Sequence, residues 1–194
     1  MGEAAYKLYY TVEDYLEMEQ ESLDKNEYHS GEIFAMAGGT LAHSLIATNI
    51  AGSLREVIKS KGKTCRTYGS DAQIATSDED FVYPDAFVVC GKNETDSKHR
   101  HAITNPILIV EVLSKSTGLY DREEKFQAYQ NLQSFQEYIL VSQDKILVEV
   151  FYKPTENPFW QYRSYKDLNE IIELKSIDVE ISLNDIYLDW EKPA

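Results

Sequence analysis

The segment 105–114, NPILIVEVLS, constrains the fold most, because it is an almost continuous apolar run with a single carboxylate inside it. Its β-branched composition is typical of a central strand that is buried on both faces. Side chains alternate between the faces of a strand, so we expect Glu111 to share a face with Ile107, Ile109 and Leu113. An ionised carboxylate in such a strand is costly unless it is paired or coordinates a metal. The core must therefore provide a partner for Glu111.

A second carboxylate stands in the segment 81–90, FVYPDAFVVC, which the pattern predicts to be one strand that the chain enters at Pro84. Asp85 would share its face with Phe87 and Val89. One loop fits between the two segments, so the two acids can meet on neighbouring strands. Each acid alone has an alternative reading as a strand-end carboxylate that accepts backbone N–H bonds or pairs with an arginine. Together they favour a site for a hard cation, since Mg²⁺ is held by one or two carboxylates with waters and substrate phosphates.

The remaining pattern indicates helices and strands in alternating blocks. Thr11 predicts the N-cap of a short helix, residues 25–39 predict a hairpin around Ser30-Gly31, and helical spacing extends from Thr40 to about Ser60. Strands at CRTYG and DAQIAT come before the two acidic segments, which a polar loop separates. The helical segment 116–132 follows, then a hairpin in EYILVSQDKILVEVFYK, a strand in FWQYRSYK and a small closing element ending in LNDIYLDW. This order predicts a mixed sheet with helices packed on its faces.

Composition limits the classes of function. At 194 residues the chain is predicted to form one domain, residues 1–194. Its formal net charge of −14 argues against binding nucleic acid through an overall positive field, so any such site must be local. No apolar run is long enough to span a bilayer, and the acidic N-terminus is unlike a secretory signal, so we expect a soluble cytoplasmic protein. Cys65 and Cys90 lack metal-ligand spacing and are predicted to be reduced thiols packed in strands.

The ordered motifs YPD, NPILIVEVLS, ST, DREEKFQAY and EYILV, with GEIFAMAGG and a histidine shortly after it, resemble the Uma-two family of restriction-endonuclease-like proteins. That family belongs to the PD-(D/E)xK nuclease superfamily, and the resemblance extends from about Tyr10 to Tyr187. It implies an α/β (α+β) restriction-endonuclease-like core, with a mixed sheet of four or five strands flanked by helices. It also implies a divalent-metal site at the strand ends.

By this resemblance, Asp85 matches the aspartate of the PD motif and Glu111 matches the second acid. The superfamily's lysine usually follows that acid by two positions, where this chain has Leu113. Lys125 matches the family's D-x-x-x-K helix motif and is the candidate replacement. The alternatives are that Lys125 is a surface lysine paired with Asp121, or that Lys115 supplies the charge instead.

Further residues are assigned by the same resemblance. His43 matches a family histidine and is either a proton shuttle or a satisfied core or capping histidine. Glu32, in the GEI motif, is the nearest match to an additional acid. Asp71 either lines the site or caps a turn. Ser114 and Thr117 are predicted to cap the following helix, with phosphate contacts as the second alternative.

The implied chemistry is hydrolysis of DNA phosphodiester bonds with Mg²⁺ or Mn²⁺. Asp85 and Glu111, with the backbone carbonyl of Val112, would bind the metal, and Lys125 would stabilise the transition state. Two alternatives remain open: a nuclease-fold protein without catalysis that acts in binding or assembly, favoured by Leu113 and the negative charge, and a metal-dependent enzyme acting on RNA or a small nucleotide. A homodimer is expected, since cutting both strands of a duplex needs two active sites or two visits.

Overall fold

The computed structural model describes residues 9–36, 38–114 and 118–192. Helix α1 (Val12–Glu21) begins at Thr11, whose hydroxyl accepts a bond from the Asp14 N–H while the Asp14 carboxylate accepts one from the Thr11 N–H. This reciprocal pair satisfies two N–H groups that the first turn leaves free. Strands β1 (Asn26–His29) and β2 (Glu32–Ala35) then form the predicted hairpin. Its turn uses Ser30 and Gly31, both with positive φ.

The hairpin belongs to a sheet of five strands. The other members are β4 (Gln73–Ser77), β5 (Asp80–Val82) and β7 (Ala102–Ile103). The strand order is β2-β1-β5-β4-β7, so β2 is an outer strand and β1 an inner one. Only the pairing of β4 with β7 is parallel among the described pairs of this sheet.

A second sheet has six strands, where the resemblance implies four or five. Its members are β3 (Cys65–Gly69), β6 (Ala86–Cys90), β8 (Leu108–Leu113), β9 (Glu137–Ser142), β10 (Val148–Tyr152) and β11 (Gln161–Tyr165). The order is β11-β10-β9-β8-β6-β3. Strands β8 and β9 run parallel and the other described neighbours antiparallel, so the sheet is mixed as predicted.

The prediction of a single strand over residues 81–90 is wrong. Strand β5 ends at Val82 in the five-stranded sheet, and β6 begins at Ala86 in the six-stranded sheet. The three residues between them carry the chain from one sheet to the other. Pro84 has no N–H to donate to a ladder, which suits a position where strand pairing stops. Asp85 therefore lies at the junction of the two sheets.

Helix α2 (Leu41–Ser60) covers one face of the six-stranded sheet, which confirms the helix predicted from Thr40 to about Ser60. Ile46, Ile50 and Leu54 are fully buried against this face. The C-terminal part packs there too: a hairpin of β12 (Ile171–Leu174) and β13 (Val179–Ser182), which the sequence pattern did not predict, and α5 (Leu183–Ile186).

The other face carries the helical segment that follows β8. It consists of α3 (Gly118–Tyr120), a π-helical turn (Asp121–Lys125) and α4 (Phe126–Tyr129). Ile109 and Leu113 point to this face, as alternation along β8 predicts for neighbours of Glu111. Ile107 lies before the strand and packs on the α2 side instead.

Cys65 and Cys90 form a disulfide, so the prediction of reduced thiols is wrong. The two residues are direct partners in the antiparallel pairing of β3 with β6, which brings their sulfur atoms together. Within the described ranges, none of the helices has the length and apolar character needed to cross a bilayer.

Candidate active site

Asp85 and Glu111 lie side by side across two neighbouring strands. Strand β6 pairs with β8 so that Ala86 is opposite Val110, which places the preceding residue beside Glu111. The Asp85 N–H lies 3.4 Å from Glu111 Oε2, and the Val112 N–H donates to Asp85 Oδ2 at 2.7 Å. The structure thus brings together the two carboxylates that the sequence singled out.

Lys125 completes a buried cluster with three acids. Its Nζ lies 3.0 Å from Glu27 Oε1, 3.2 Å from Glu111 Oε1 and 3.7 Å from Asp121 Oδ1. The side chain is only 6% exposed, so the alternative of a surface lysine is wrong, although its predicted contact with Asp121 is present. The π-helical turn between Asp121 and Lys125 is a feature that often occurs at functional sites.

Leu113, at the usual position of the superfamily lysine, is buried in the apolar cluster on the same face as Glu111. The positive charge beside Glu111 therefore comes from the following helical segment. The Ser114 carbonyl accepts a bond from the N–H of Gly118, the first residue of that segment, at 2.9 Å. Lys115 and Thr117 lie outside the described residues.

Glu27 contributes an acid from the N-terminal hairpin that the sequence reasoning did not single out, and Glu32, the acid predicted there, is on the same hairpin. Both acids lie on one face of the hairpin, because Glu27 is opposite Phe34 and Glu32 is opposite His29. Glu27 is on the inner strand and is 5% exposed, and its Oε1 also accepts a bond from the Tyr83 N–H at 2.9 Å. Glu32 is on the outer strand and less buried. The local pattern gave no signal for Glu27, because alternation along β1 places it on the face opposite to Tyr28, which packs in an apolar core.

His43 contacts Asp85 from the first turn of α2. Its Nε2 lies 2.8 Å from Asp85 Oδ1, so the ring N–H donates to the carboxylate. Its Nδ1 is buried without a hydrogen-bond partner among the described residues. A Cβ at Gly39 would lie 2.9 Å from His43 Cδ2, so the absence of a side chain there makes room for the ring.

Aromatic hydroxyls, which the sequence reasoning missed, hold two of the acidic residues. The Tyr129 hydroxyl donates to Glu111 Oε1 at 2.7 Å, and the Tyr138 hydroxyl donates to the Asp121 backbone carbonyl at 2.8 Å. Both tyrosines are fully buried. Both tyrosines are spaced regularly among apolar residues in the sequence, and that pattern does not indicate a hydrogen-bonding role.

A second polar chain reaches Glu27 from the hairpin side, and it was also missed. His29 Nδ1 lies 3.3 Å from Asp80 Oδ1, and His29 Nε2 hydrogen-bonds with the Tyr120 hydroxyl. That hydroxyl also donates to Glu27 Oε2 at 3.4 Å, and the Tyr120 ring lies below Lys125 Nζ. These contacts are long-range, so the spacing of the residues in the sequence carries no signal for them.

The cluster separates the protonation preferences of its carboxylates. Burial opposes ionisation of Glu27, but Lys125 and the bonds from His29 and Tyr83 outweigh it and lower its pKa to about 2. Burial, with Asp121 and Asp85 nearby, raises the pKa of Glu111 well above its usual value despite Lys125. Glu111 is therefore easier to protonate than an ordinary glutamate, and a cation beside it would favour its ionised form.

Lys125 and His43 are the two basic groups in contact with these acids, and both are stabilised in their charged forms. Burial disfavours the charged Lys125, but Glu111, Glu27 and Asp121 raise its pKa well above the usual value. The hydrogen bond to Asp85 raises the pKa of His43.

The donor set fits a hard divalent cation with few protein ligands. Within residues 9–36, 38–114 and 118–192, no group of three His, Cys, Asp or Glu side chains is arranged to hold a metal ion. Asp85 and Glu111 are nonetheless adjacent oxygen donors, and the Val112 carbonyl is on the same strand as Glu111. Mg²⁺ is commonly held by one or two carboxylates, with water and phosphate oxygens filling the remaining positions.

Asp71 lies apart from this cluster. Its side chain is 97% exposed, and its Oδ1 accepts a bond from Lys25 Nζ at 2.7 Å. The suggestion that it lines the site is therefore wrong.

The family model Uma2, described as "Putative restriction endonuclease", matches residues 12–185. This chain belongs to the Uma2 family. Two uncharacterized proteins of Synechocystis sp. (strain ATCC 27184 / PCC 6803 / Kazusa) are similar to it. Protein slr1290 is 34% identical over 176 residues, which is 90% of each chain, and sll1609 is 31% identical over 144 residues, 74% of this chain and 80% of the relative.

This Uma2 chain is also similar to a solved structure from Anabaena variabilis ATCC 29413, described as "a putative nuclease belonging to DUF820". The TM-score is 0.72 at 16% identity, with 92% of this chain and 97% of that chain covered. The match shows the fold: mixed sheets flanked by helices in a restriction-endonuclease-like arrangement. It confirms the predicted fold class.

Proposed function

We propose that this Uma2 protein is a divalent-metal-dependent DNA endonuclease that hydrolyses phosphodiester bonds. The observation that carries the proposal is the 3.2 Å contact between Lys125 Nζ and Glu111 Oε1, beside Asp85. Two acids and a lysine are the side chains that the PD-(D/E)xK superfamily uses. Here the lysine reaches the second acid from the π-helical turn, although Leu113 stands at the usual position.

In the proposed mechanism, Asp85, Glu111 and the Val112 carbonyl would hold one or two Mg²⁺ or Mn²⁺ ions. Such an ion, when bound, lowers the pKa of a coordinated water and neutralises charge on the phosphoryl oxygens. Lys125, kept charged by Glu27 and Glu111, stabilises the negative charge that builds on the phosphate in the transition state. His43, oriented by Asp85, is the candidate proton shuttle for the attacking water.

A second candidate is a nuclease-fold protein without catalysis that acts in binding or assembly. Leu113 favours it, as does the paired state of Lys125, whose Nζ lies within 4 Å of three carboxylates. The net charge of −14 also predicts modest affinity for duplex DNA. A third candidate, hydrolysis of RNA or of a small nucleotide, would use the same residues on another substrate.

The deciding experiment compares the protein with an Asp85→Ala/Glu111→Ala variant on plasmid and single-stranded DNA with Mn²⁺ or Mg²⁺. An Asp71→Ala variant is the matched control, because Asp71 is an exposed acid outside the cluster. We expect cleavage by the protein and the control only. Equal cleavage by the double variant would refute the site, whereas no cleavage together with no divalent-ion binding by calorimetry would favour the assembly function. RNA and dinucleotide substrates in parallel reactions test the third candidate.

A symmetric homodimer and a cytoplasmic location are proposed with this function. Cutting both strands of a duplex requires two active sites or two visits, and small homo-oligomers are most often symmetric dimers. Light scattering during gel filtration, with and without substrate, measures the oligomeric state. The single domain over residues 1–194 likewise stays a prediction.

A further inference from the structure

A row of three aromatic rings leads from the surface to the edge of the acidic cluster. The Phe34 and His29 ring centroids are 5.7 Å apart, and those of His29 and Tyr120 are also 5.7 Å apart. The Tyr120 hydroxyl contacts Glu27, and Lys125 Nζ lies 5.6 Å from the centroid of its ring. The outer end of the row is Phe34, whose side chain is 48% exposed.

The register of the hairpin explains why Phe34 stands there. It is the direct partner of Glu27 across β1 and β2, so both side chains project from the same face of the five-stranded sheet. Strand β2 is an outer strand, so the Phe34 ring is accessible from the edge of the sheet. A large apolar ring is thus exposed directly opposite an acid of the cluster, next to the place where a scissile phosphate would bind.

The ligand chemistry follows from the ring and its neighbours. An aromatic face stacks with a nucleobase of any sequence, because every base has a π-face. His29, whose ring lies next to Phe34, is held in its charged form by Asp80 and Glu27, which raise its pKa to about 9 despite its burial. The alternative, a groove that follows the phosphates of a duplex, conflicts with a net charge of −14.

We infer that Phe34 is a stacking platform for an unpaired nucleobase next to the scissile phosphate, so that the substrate is single-stranded or locally unpaired nucleic acid. In a paired duplex both faces of each base are stacked on its neighbours and are closed to Phe34. This inference rests on the proposed nuclease function for the phosphate beside the platform. The stacking itself is measured by binding, without cleavage.

The test measures binding of fluorescein-labelled dT12, rU12 and a blunt DNA hairpin duplex by anisotropy, with Ca²⁺ in place of Mg²⁺. The variants are Phe34→Leu, which stays apolar but loses the ring, and Phe34→Trp, which keeps one. The matched control is Phe159→Leu, because Phe159 is 75% exposed and lies in the loop before β11, an outer strand of the other sheet. Circular dichroism checks that each variant is folded.

We expect Phe34→Leu to weaken dT12 binding by about 5- to 100-fold, the usual effect of losing one aromatic stacking partner. Phe34→Trp should bind within about twofold of the unaltered protein, Phe159→Leu should be unchanged, and all should bind the duplex weakly. Binding of rU12 should depend on the Phe34 ring in the same way, because stacking uses the π-face that every base has. Equal dT12 binding by Phe34→Leu, or no dT12 binding by the unaltered protein, would overturn the inference.

Cleavage of the same oligonucleotides with Mg²⁺ separates this inference from the proposed function. If dT12 binding depends on the Phe34 ring but no oligonucleotide is cleaved, the stacking platform is supported and the nuclease function is refuted. Cleavage of dT12 and duplex at rates that Phe34→Leu does not change would leave the nuclease and refute the platform.

Discussion

Glu111 and Glu137 are both buried glutamates on the paired parallel strands β8 and β9, but their surroundings differ. Glu137 faces the α2 side, and its partners are the N–H groups of Lys175 and Ser176, at 3.1 and 3.0 Å, and the Ser176 hydroxyl at 2.7 Å. Glu111 faces the other side, and its partners Lys125 and Tyr129 both have side chains that titrate.

Burial of an acid therefore does not by itself mark a reactive site. The partners of Glu137 come from the turn between β12 and β13, so the carboxylate fastens that hairpin to the sheet. The partners of Glu111 belong to a cluster in which charge and protons can redistribute. Burial raises the pKa of both acids, so the pKa shift alone does not distinguish them either.

The largest effect is expected from Lys125→Met. The change leaves Glu27, Glu111 and Asp121 buried without their shared cation, so the free energy of unfolding should fall by about 3–5 kcal/mol, and cleavage should be lost. Urea denaturation and a plasmid assay measure the two effects. A folded variant with full activity would remove Lys125 from the mechanism.

Acid should destabilise the protein through Glu27, whose folded pKa of about 2 lies below its ordinary value of 4.5. Its contribution is complete above about pH 4.5 and is lost as the pH falls towards 2, on the order of 3 kcal/mol in total. The stability difference between the protein and Glu27→Gln, from urea denaturation at several pH values, should shrink over this range.

The stability contribution of Glu137 should change with pH in the opposite direction, because burial raises the pKa of this acid. Its raised pKa means that the folded state binds the proton more tightly, so this contribution falls as the pH rises through the folded pKa. A stability difference between the protein and Glu27→Gln that does not change with pH would contradict this contrast between the two acids. Stability contributions of Glu27 and Glu137 that change with pH in the same direction would contradict it too.

Glu137→Gln should lower the free energy of unfolding by about 1–3 kcal/mol, because the amide presents N–H donors to the donors of Lys175 and Ser176. Hydrogen exchange should accelerate in β12 and β13 and change little in β8. Stability equal to the unaltered protein would show that the carboxylate does not fasten the hairpin.

The smallest effect is expected from Gly39→Ala, whose Cβ would lie 2.9 Å from His43 Cδ2 and displace the ring from Asp85. We expect about a tenfold loss of cleavage, less than the roughly 100- to 10,000-fold contribution of a proton-transfer group, because the ring is displaced and not removed. Gly38→Ala is the matched control, because a Cβ there meets nothing within 4 Å. Equal rates for the two variants would argue against a role for His43.

The neighbouring acids could be predicted because they depend on local pattern. Alternation along β8 indicates which face Glu111 occupies, and the apolar strand after Asp85 indicates that this acid enters the core. The four-residue spacing of Asp121 and Lys125 indicated their contact, but not that Lys125 extends further, to Glu111.

The remaining features depend on which strands pair, which local pattern does not encode. The apolar run 81–90 reads the same whether it forms one strand or two, so the change of sheet at Pro84 was missed. Glu27 and Glu32 flank one turn, and which of the two acids lies on the inner strand follows from β2 being an outer strand. The Cys65–Cys90 disulfide depends on the register of β3 against β6.

We propose that the cluster around Glu111, and not burial of an acid as such, performs chemistry. Single-turnover cleavage of plasmid DNA with Mg²⁺ by the unaltered protein, Glu111→Gln and Glu137→Gln separates these two possibilities, at a temperature where all three are folded. We expect cleavage by the unaltered protein and Glu137→Gln at similar rates, and a loss of at least about 100-fold for Glu111→Gln, as for removal of a group that acts in the transition state. Equal rates for the two variants would contradict it.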